Sequence, residues 1–394
     1  MENKSMQMAT PSKKSYKVLF VGQIYDHHLR RVISRLKEEN PNAIIDVFTL
    51  NGTRPLTDDI KDVVRNWYFP YKQDHVTKYM HQKVALAYLL SSRRLLRQIA
   101  KQEHYNCVNI HFPLFFHAYI IKELKALSNT FLVTPWGSEV YGFHGWKLKQ
   151  TKRIFDAADK VCGIGNRFNR DVQRIFNVPS EKFVYLDIMS DSIDAMADYS
   201  GTVEEAKKYF NVEDKYVITC GYNATSAQQH EQIIDAINSV KDKLPKNLVL
   251  FFPMTYSKVE SYMQHIRNLL EQTGIPYRIF DSFLTQEELV YLRYATDLFV
   301  HMQKTDANSS SIREFIICKK KIVNCSWLRY GEFEQFGCVP YFIAENFDTL
   351  GQTILDVIEA PAKEMPQALL DMLAGGGTKK MIKRWDAFFS SCQL

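Results

Sequence analysis

Hydrophobic and polar positions along this chain follow two rhythms that take turns, one with the period of a strand and one with the period of a helix. From residue 16 the run Tyr-Lys-Val-Leu-Phe-Val-Gly is β-rich and ends in glycine. The segment 26–40 that follows has helical spacing through Leu29, Val32, Ile33 and Leu36. The same alternation predicts strands at 44–50, 108–110, 131–134, 160–164 and 183–186, with helices at 78–102, 116–126 and 167–176. Strand and helix in succession imply a parallel sheet clothed by helices. Between 189 and 214 the pattern loosens into acidic, small and polar residues, among them Asp191, Asp194, Asp198 and Gly201, which marks a domain junction. A second alternating block has strands at 216–222, 248–254, 277–280, 298–301, 321–324 and 339–343, and helices starting near His230, Lys258, Thr285, Ser311 and Phe347. The stretch 378–392 is an amphipathic helix with Met381, Ile382, Trp385 and Phe388 on one side.

The expected organisation is a loose tail over 1–15, an acceptor-side Rossmann-like domain over 16–195, a second Rossmann-like domain over 205–365, and helices over 366–394, the last packing back on the first domain. Two doubly wound α/β halves facing a central cleft would place the carboxyl ends of both sheets at one opening, where such folds bind ligands. No Gly-x-Gly-x-x-Gly follows the first strand and no Gly-Lys-Ser/Thr occurs, which argues against a dinucleotide oxidoreductase and a P-loop ATPase.

Composition keeps the chain among globular proteins. Of 394 residues, 46% are hydrophobic and 24% charged, with only 16 Gly and 13 Pro, which excludes fibrous and disordered classes. No apolar stretch approaches the roughly 20 uncharged residues of a membrane span, since the run 84–90 is closed off by Lys83 and Arg93. Residues 1–15 carry Lys4, Lys13 and Lys14 with no apolar core behind them, so the parts of a secretory signal are lacking. Seven cysteines stand singly without a Cys-x-x-Cys pair, and reduced thiols in the cytoplasm are expected. The net charge of +6 permits anionic ligands or a lipid surface, and nucleic acid is not an expected partner. The helix 78–102 bears Lys78, Lys83, Arg93, Arg94 and Arg97 beside apolar residues, so it can serve as a core helix with a basic edge or lie on the inner face of the cell membrane.

The candidate chemistry concentrates in 301–324. A strand ends at His301, a polar loop with Lys304, Asp306, Asn308, Ser309 and Ser310 follows, and a helix opens near Ser311 with Glu314 one turn in. Free backbone N–H groups and the helix dipole at such a start attract a phosphate, and Glu314 can accept hydroxyl protons from a ribose. Ser311-x-x-Glu314 is equally a capping box. No cluster of His, Cys and Asp suggests a metal, and no cofactor is expected.

This segment resembles the Glu-x-x-x-x-x-x-x-Glu element of retaining glycosyltransferases of family 4, which have the GT-B fold, with Asp306 as the first acid here. The stretches 283–289 and 295–298 resemble what precedes that element. Residues 108–111, 133–140 and 158–161 look like the amino-terminal domain of the same family. The resemblance implies a nucleotide-diphosphate sugar as donor, held by Asn308, Ser309, Ser310, Ser311 and Lys304. Asp306, Glu314, His111 and Glu139 would be catalytic, and Trp136, Gly137 and Ser138, with Asp26, His27 and His28, would form the acceptor side. This chain has Trp136 before Gly137 and Glu139 at the family's acid position.

After the strand at 216 the family places an arginine and a lysine against the diphosphate, where this chain has Gly221-Tyr222-Asn223-Ala224-Thr225-Ser226 and then Gln228, Gln229 and His230. Asn223, Ser226 and His230 are taken as donor-binding. The missing charge would come from helix N-termini, from Lys304, Lys258 or Arg313, or from a protonated His230. Ser226-x-x-Gln229 is also a capping box. The blocks 252–256 and 301–303 are more similar to bacterial transferases that add 4-acetamido-4,6-dideoxygalactose to lipid-linked enterobacterial common antigen. Those enzymes invert, and inversion calls for a base among Asp26, His27, His28, His111 and Glu139. Together the resemblances imply a glycosyltransferase of bacterial surface polysaccharide synthesis with a glycan or lipid-linked acceptor. A nucleotide-sugar epimerase of the same fold, and a non-catalytic nucleotide-binding or scaffold protein, stand as alternatives.

Overall fold

The computed structural model describes residues 13–23, 27–50, 56–70, 81–187, 189–306 and 310–394, without the side chains of His27, residues 81–87 and Asn166. The chain divides into two compact units. The first comprises Met1–Gly163, Asp171–Leu186 and Ile382–Leu394, and the second Ile164–Arg170 and Asp187–Met381.

The first unit holds strands β1 (Lys17–Val21), β2 (Ile44–Phe48), β3 (Val64–Tyr68), β4 (Cys107–His111), β5 (Phe131–Thr134), β6 (Lys160–Gly163) and β7 (Phe183–Tyr185). They form one parallel sheet in the order β3-β2-β1-β4-β5-β6-β7. Its central strands are buried at every position but Lys17, as expected of a sheet covered on both faces. The strand β3 has no counterpart in the hydrophobic pattern because polar bonds hold it. The buried Asp46 on β2 accepts from Arg65 Nε at 3.0 Å, from the Asn66 backbone N–H at 3.0 Å and from Tyr105 Oη at 2.7 Å. The helix expected over 116–126 is a tight turn at Phe115–Tyr119 followed by a short helix at Ile121–Lys125. The helix expected over 78–102 runs His81–Ile99, and residues 78–80 lie outside the described set.

The helix Thr378–Ser391 sends Ile382 onward into the first unit. Phe389 meets the rings of Tyr16 and Phe20 at 5.7 and 5.8 Å, while Asp386 accepts from Tyr16 Oη at 3.0 Å and from Asn40 Nδ2 at 2.8 Å. The buried stripe is Met381, Ile382, Trp385 and Phe389, one position past the expected Phe388, as a spacing of four residues requires.

The second unit holds β8 (Tyr216–Cys220), β9 (Leu248–Pro253), β10 (Tyr277–Phe280), β11 (Leu298–His301), β12 (Lys321–Cys325) and β13 (Phe342–Ala344), a parallel sheet in the order β10-β9-β8-β11-β12-β13. One apolar layer, with Ile233, Ile266 and Ile354, covers one face, and another, with Leu292, Phe299 and Phe315, covers the other. Residues 187–195, grouped with the first half on sequence, belong to this unit. The helix Asp191–Asp198 buries Ile193 and Met196 and packs on helices Gln286–Ala295 and Ser310–Ile317. Its acidic side, which resembled a linker, is tied down: Asp194 accepts from the Lys379 backbone N–H at 2.9 Å and Asp198 pairs with the Lys379 ammonium.

Candidate functional site

In each sheet the strand order reverses once, between β1 and β4 in the first unit and between β8 and β11 in the second. The loops leaving the carboxyl ends of those strands are where such sheets bind ligands.

In the second unit, β8 runs into Gly221, whose φ of +65° and close neighbours demand glycine. A Cβ there would lie 2.8 Å from His230 Nε2 and 3.0 Å from Gln228 Oε1. The loop folds against the segment after β11, with Lys304 N–H donating to the Ala227 carbonyl at 2.9 Å and Tyr222 Oη donating to Gln303 Oε1 at 2.6 Å. Asn223 is buried and organises its own turn, accepting from Thr225 N–H at 2.9 Å and Thr225 Oγ1 at 2.8 Å. Ser226 is exposed, and Gln229 has a left-handed backbone, so the capping box expected at Ser226-x-x-Gln229 is not formed.

Asp306 is the last described residue of the segment after β11 and is nearly buried. Tyr330 Oη donates to its Oδ2 and Arg167 Nη1 donates to its carbonyl oxygen at 3.2 Å. Asn308 and Ser309 lie outside the described residues, and the helix starts at Ser310. Glu314 is buried and engaged at both oxygens, by Arg293 Nε at 2.8 Å and by Ser192 Oγ. Arg293 also donates to Ser311 Oγ at 3.2 Å and lies 4.6 Å from the Phe315 ring centroid. Ser311 thus serves the arginine from inside the helix instead of capping its start.

His301 is buried beneath this loop, with Nδ1 2.9 Å from Asn324 Oδ1 and its ring stacked on Tyr222 at 6.1 Å. Burial lowers its pKa, and its Nε2 has no partner among the described residues.

Of the proposed sources of positive charge, three are committed elsewhere. Burial holds His230 down to about 4, so it is neutral at pH 7 and the expectation of a protonated His230 is corrected. Arg313 pairs with Asp187 at 2.7 Å in a buried bridge, and Lys258 donates to the Asp281 carbonyl at 2.7 Å. Lys304 is exposed with no carboxylate partner among the described residues. Arg167, which the sequence reading passed over, adds a half-buried guanidinium at Asp306, and its charge, with those of Arg313 and Arg170, opposes the burial that raises the pKa of Glu332. The signal for Arg167 in the sequence was slight: a helix start with two arginines, directly after β6.

In the first unit, β1 leads into Gly22, where a Cβ would lie 2.7 Å from the His111 carbonyl oxygen. His111 is buried, 5.1 Å from the ring of Trp136, and neither ring nitrogen has a partner among the described residues. Burial holds its pKa down to about 3, so it stays neutral and is a weak base. The next residue, Phe112, has a φ of +66°, a strain that non-glycine residues accept mainly where a site is held in shape. The rings of His28 and Trp136 lie 4.1 Å apart. Glu139 is fully buried, accepting from the backbone N–H groups of Trp136 and, at 3.2 Å, Gly137. Gly137 has a φ of +123°, open to glycine alone, and Ser138 begins the short helix Ser138–Tyr141. Burial pushes Glu139 up to about 7, with the two N–H bonds pulling the other way. Asp26 and the side chain of His27 lie outside the described residues. Within this unit His28, His111, Trp136 and Glu139 therefore come together. Within the second, Asn223, Lys304, Asp306, Ser311 and Glu314 gather around the β8 and β11 ends.

No family model matches the chain, and no curated protein matches it in sequence. Solved structures do match it in fold. A glycosyltransferase from Rickettsia africae ESF-5 superimposes with a TM-score of 0.69 at 13% identity, over 95% of this chain and 98% of that one. Anabaena Alr3699/HepE in complex with UDP-glucose gives 0.62 at 12% identity, over 95% and 97%. The lipopolysaccharide outer core galactosyltransferase WaaB in its apo form gives 0.65 at 9% identity, over 94% and 99%. At such identities the likeness speaks for the architecture alone. The chain has the α/β architecture of the GT-B fold, with one Rossmann-like sheet in each of its two units.

Proposed function

We propose that this chain is a glycosyltransferase that moves a sugar from a nucleotide-diphosphate donor to a glycan or lipid-linked glycan in bacterial surface polysaccharide synthesis. The observation that supports this reading is the position of Asp306 just after β11 and of Glu314 on the next helix, Ser310–Ile317, at the point where the second sheet reverses its order. Similar folds include one protein solved with UDP-glucose and one lipopolysaccharide galactosyltransferase, which supports the donor and acceptor classes.

In this reading the helix amides and Ser310 meet the diphosphate, while Lys304 and Arg167 supply the charge that is absent after β8. Asp306, steadied by Tyr330, orients the donor sugar. For retention, the acceptor approaches on the face from which the diphosphate leaves, and a phosphate oxygen takes its proton. Inversion is favoured by one observation, the burial of Glu139 that sets its titration near neutrality, where a carboxylate is a useful base. The anomeric configuration of a product made from a donor of known configuration separates the two.

The donor assignment is tested by thermal shift against UDP-, dTDP- and GDP-sugars, since a true donor binds the folded form and raises its melting temperature. A flat response across the panel rejects the assignment. Binding without turnover points to the scaffold alternative, and sugar released from donor alone points to the epimerase. Arg167→Gln is expected to weaken UDP binding roughly 10- to 100-fold, the loss of one charge-assisted bond, and to leave uridine binding unchanged. Titration calorimetry with both ligands measures it, and equal losses for both would remove Arg167 from the phosphate site.

A further inference from the structure

The first unit carries an aromatic cluster that neither fold nor donor chemistry explains. Phe115 lies 5.8 Å from Phe143 and 5.4 Å from Trp146, and Tyr119 lies 6.4 Å from Trp146, ring centre to ring centre. Yet Trp146 remains 54% exposed. Large aromatic side chains normally contribute to a core, and a grouped, half-open set marks a contact surface. Lys147 lies over the Phe115 ring at 5.3 Å.

The helix His81–Ile99, expected either as a core helix with a basic edge or as a lipid contact, is bound into this surface. Arg93 donates to the Tyr119 carbonyl at 2.9 and 2.7 Å, and Arg97 pairs with Glu123 at 2.7 Å, so two of its arginines hold the helix to the body. Leu90, one turn before Arg93, is 57% exposed. Charge around the cluster is one-sided. The stretches 88–99, 115–125 and 143–157 contain nine Lys and Arg against two acids, Glu123 and Asp156. Both acids are already paired, with Arg97 and with Lys152 at 2.6 Å.

We propose that Phe115, Phe143 and Trp146 form a docking face that seats in the headgroup layer of an anionic phospholipid bilayer. Tryptophan suits that layer because it is apolar with a polar edge, the two phenylalanines add apolar area beside it, and lysines around them draw in acidic headgroups. The unbalanced positive rim matches a negatively charged sheet of lipid better than a neutral one. The face stands whatever the donor turns out to be.

The test is co-sedimentation of the full chain with vesicles of phosphatidylcholine and phosphatidylglycerol, against vesicles of phosphatidylcholine alone. The protein is expected to sediment with the acidic vesicles only, and less as salt is raised. Trp146→Ser is expected to weaken that binding at least tenfold while the melting temperature and the donor-induced thermal shift stay unchanged, because the ring is more than half outside the core. A second variant, Lys147→Glu with Lys149→Glu, should weaken it further in low salt than in high. Failure of the folded wild type to sediment with acidic vesicles overturns the proposal, as does equal binding to both vesicle types or full binding by Trp146→Ser. None of these outcomes bears on donor binding, which the thermal-shift panel reports separately.

Discussion

Arg293→Ala is expected to destabilise the second unit by about 3–5 kcal/mol, the usual consequence of leaving one member of a buried ion pair alone. Arg293 and Glu314 are each only 3% exposed, so the surviving carboxylate would find no water to replace the guanidinium. The same change removes the bond to Ser311 and the contact with the Phe315 ring. In a unit of this size the melting temperature should fall by roughly 10 °C. Replacing both partners, as Arg293→Met with Glu314→Leu, should cost much less, because no charge is then stranded. If single and double variants melt alike in a calorimetric scan, the pair does not act as a unit. Glu314→Gln separates structure from chemistry: a variant that melts near the wild type but no longer binds uridine would give Glu314 the ribose role in addition to its structural one.

Glu139 governs the second large effect. Its pKa, pushed up to about 7 by burial, lies above the roughly 4.5 of the unfolded chain, so the native state holds the proton more tightly. The stabilisation from this group is therefore complete below about pH 4.5 and is lost as pH rises through about 7. The swing is about 3 kcal/mol. Glu139→Gln stays neutral and should not share it. Denaturation at pH 5 and at pH 8 is expected to show the wild type losing stability relative to the variant over that interval, and parallel curves would mean that the carboxyl is already ionised. In activity, a base role predicts that turnover climbs through the same interval in the wild type and that the glutamine variant is nearly inactive, whereas an orienting role predicts a flat profile.

The elements that carried the fold were plain in the sequence wherever apolar runs did the holding. β8 and β11 lie within the expected limits, and the reversal between them places the acid loop. β3 was not legible, because Asp46 and Arg65 secure it through charge instead of alternation. The unit boundary was misplaced because Asp191, Asp194 and Asp198 look like linker residues until Lys379, far along the chain, is seen to bind two of them. Arg167 stands 139 positions before Asp306, and nothing local announces their meeting. The two suspected capping boxes had the right spacing, yet Ser311 serves Arg293 and Ser226 points to solvent, since partners from elsewhere decide what a short polar motif does.

The placement of Asp386 and Phe389 against Tyr16 and Phe20 has a consequence for biosynthesis. Nearly 200 residues separate β7 from Ile382, which at roughly 5–20 residues per second amounts to roughly 10–40 s of translation. Throughout that interval the nascent amino-terminal sheet waits with greasy rings uncovered, a natural client for ribosome-associated chaperones until its last helix emerges.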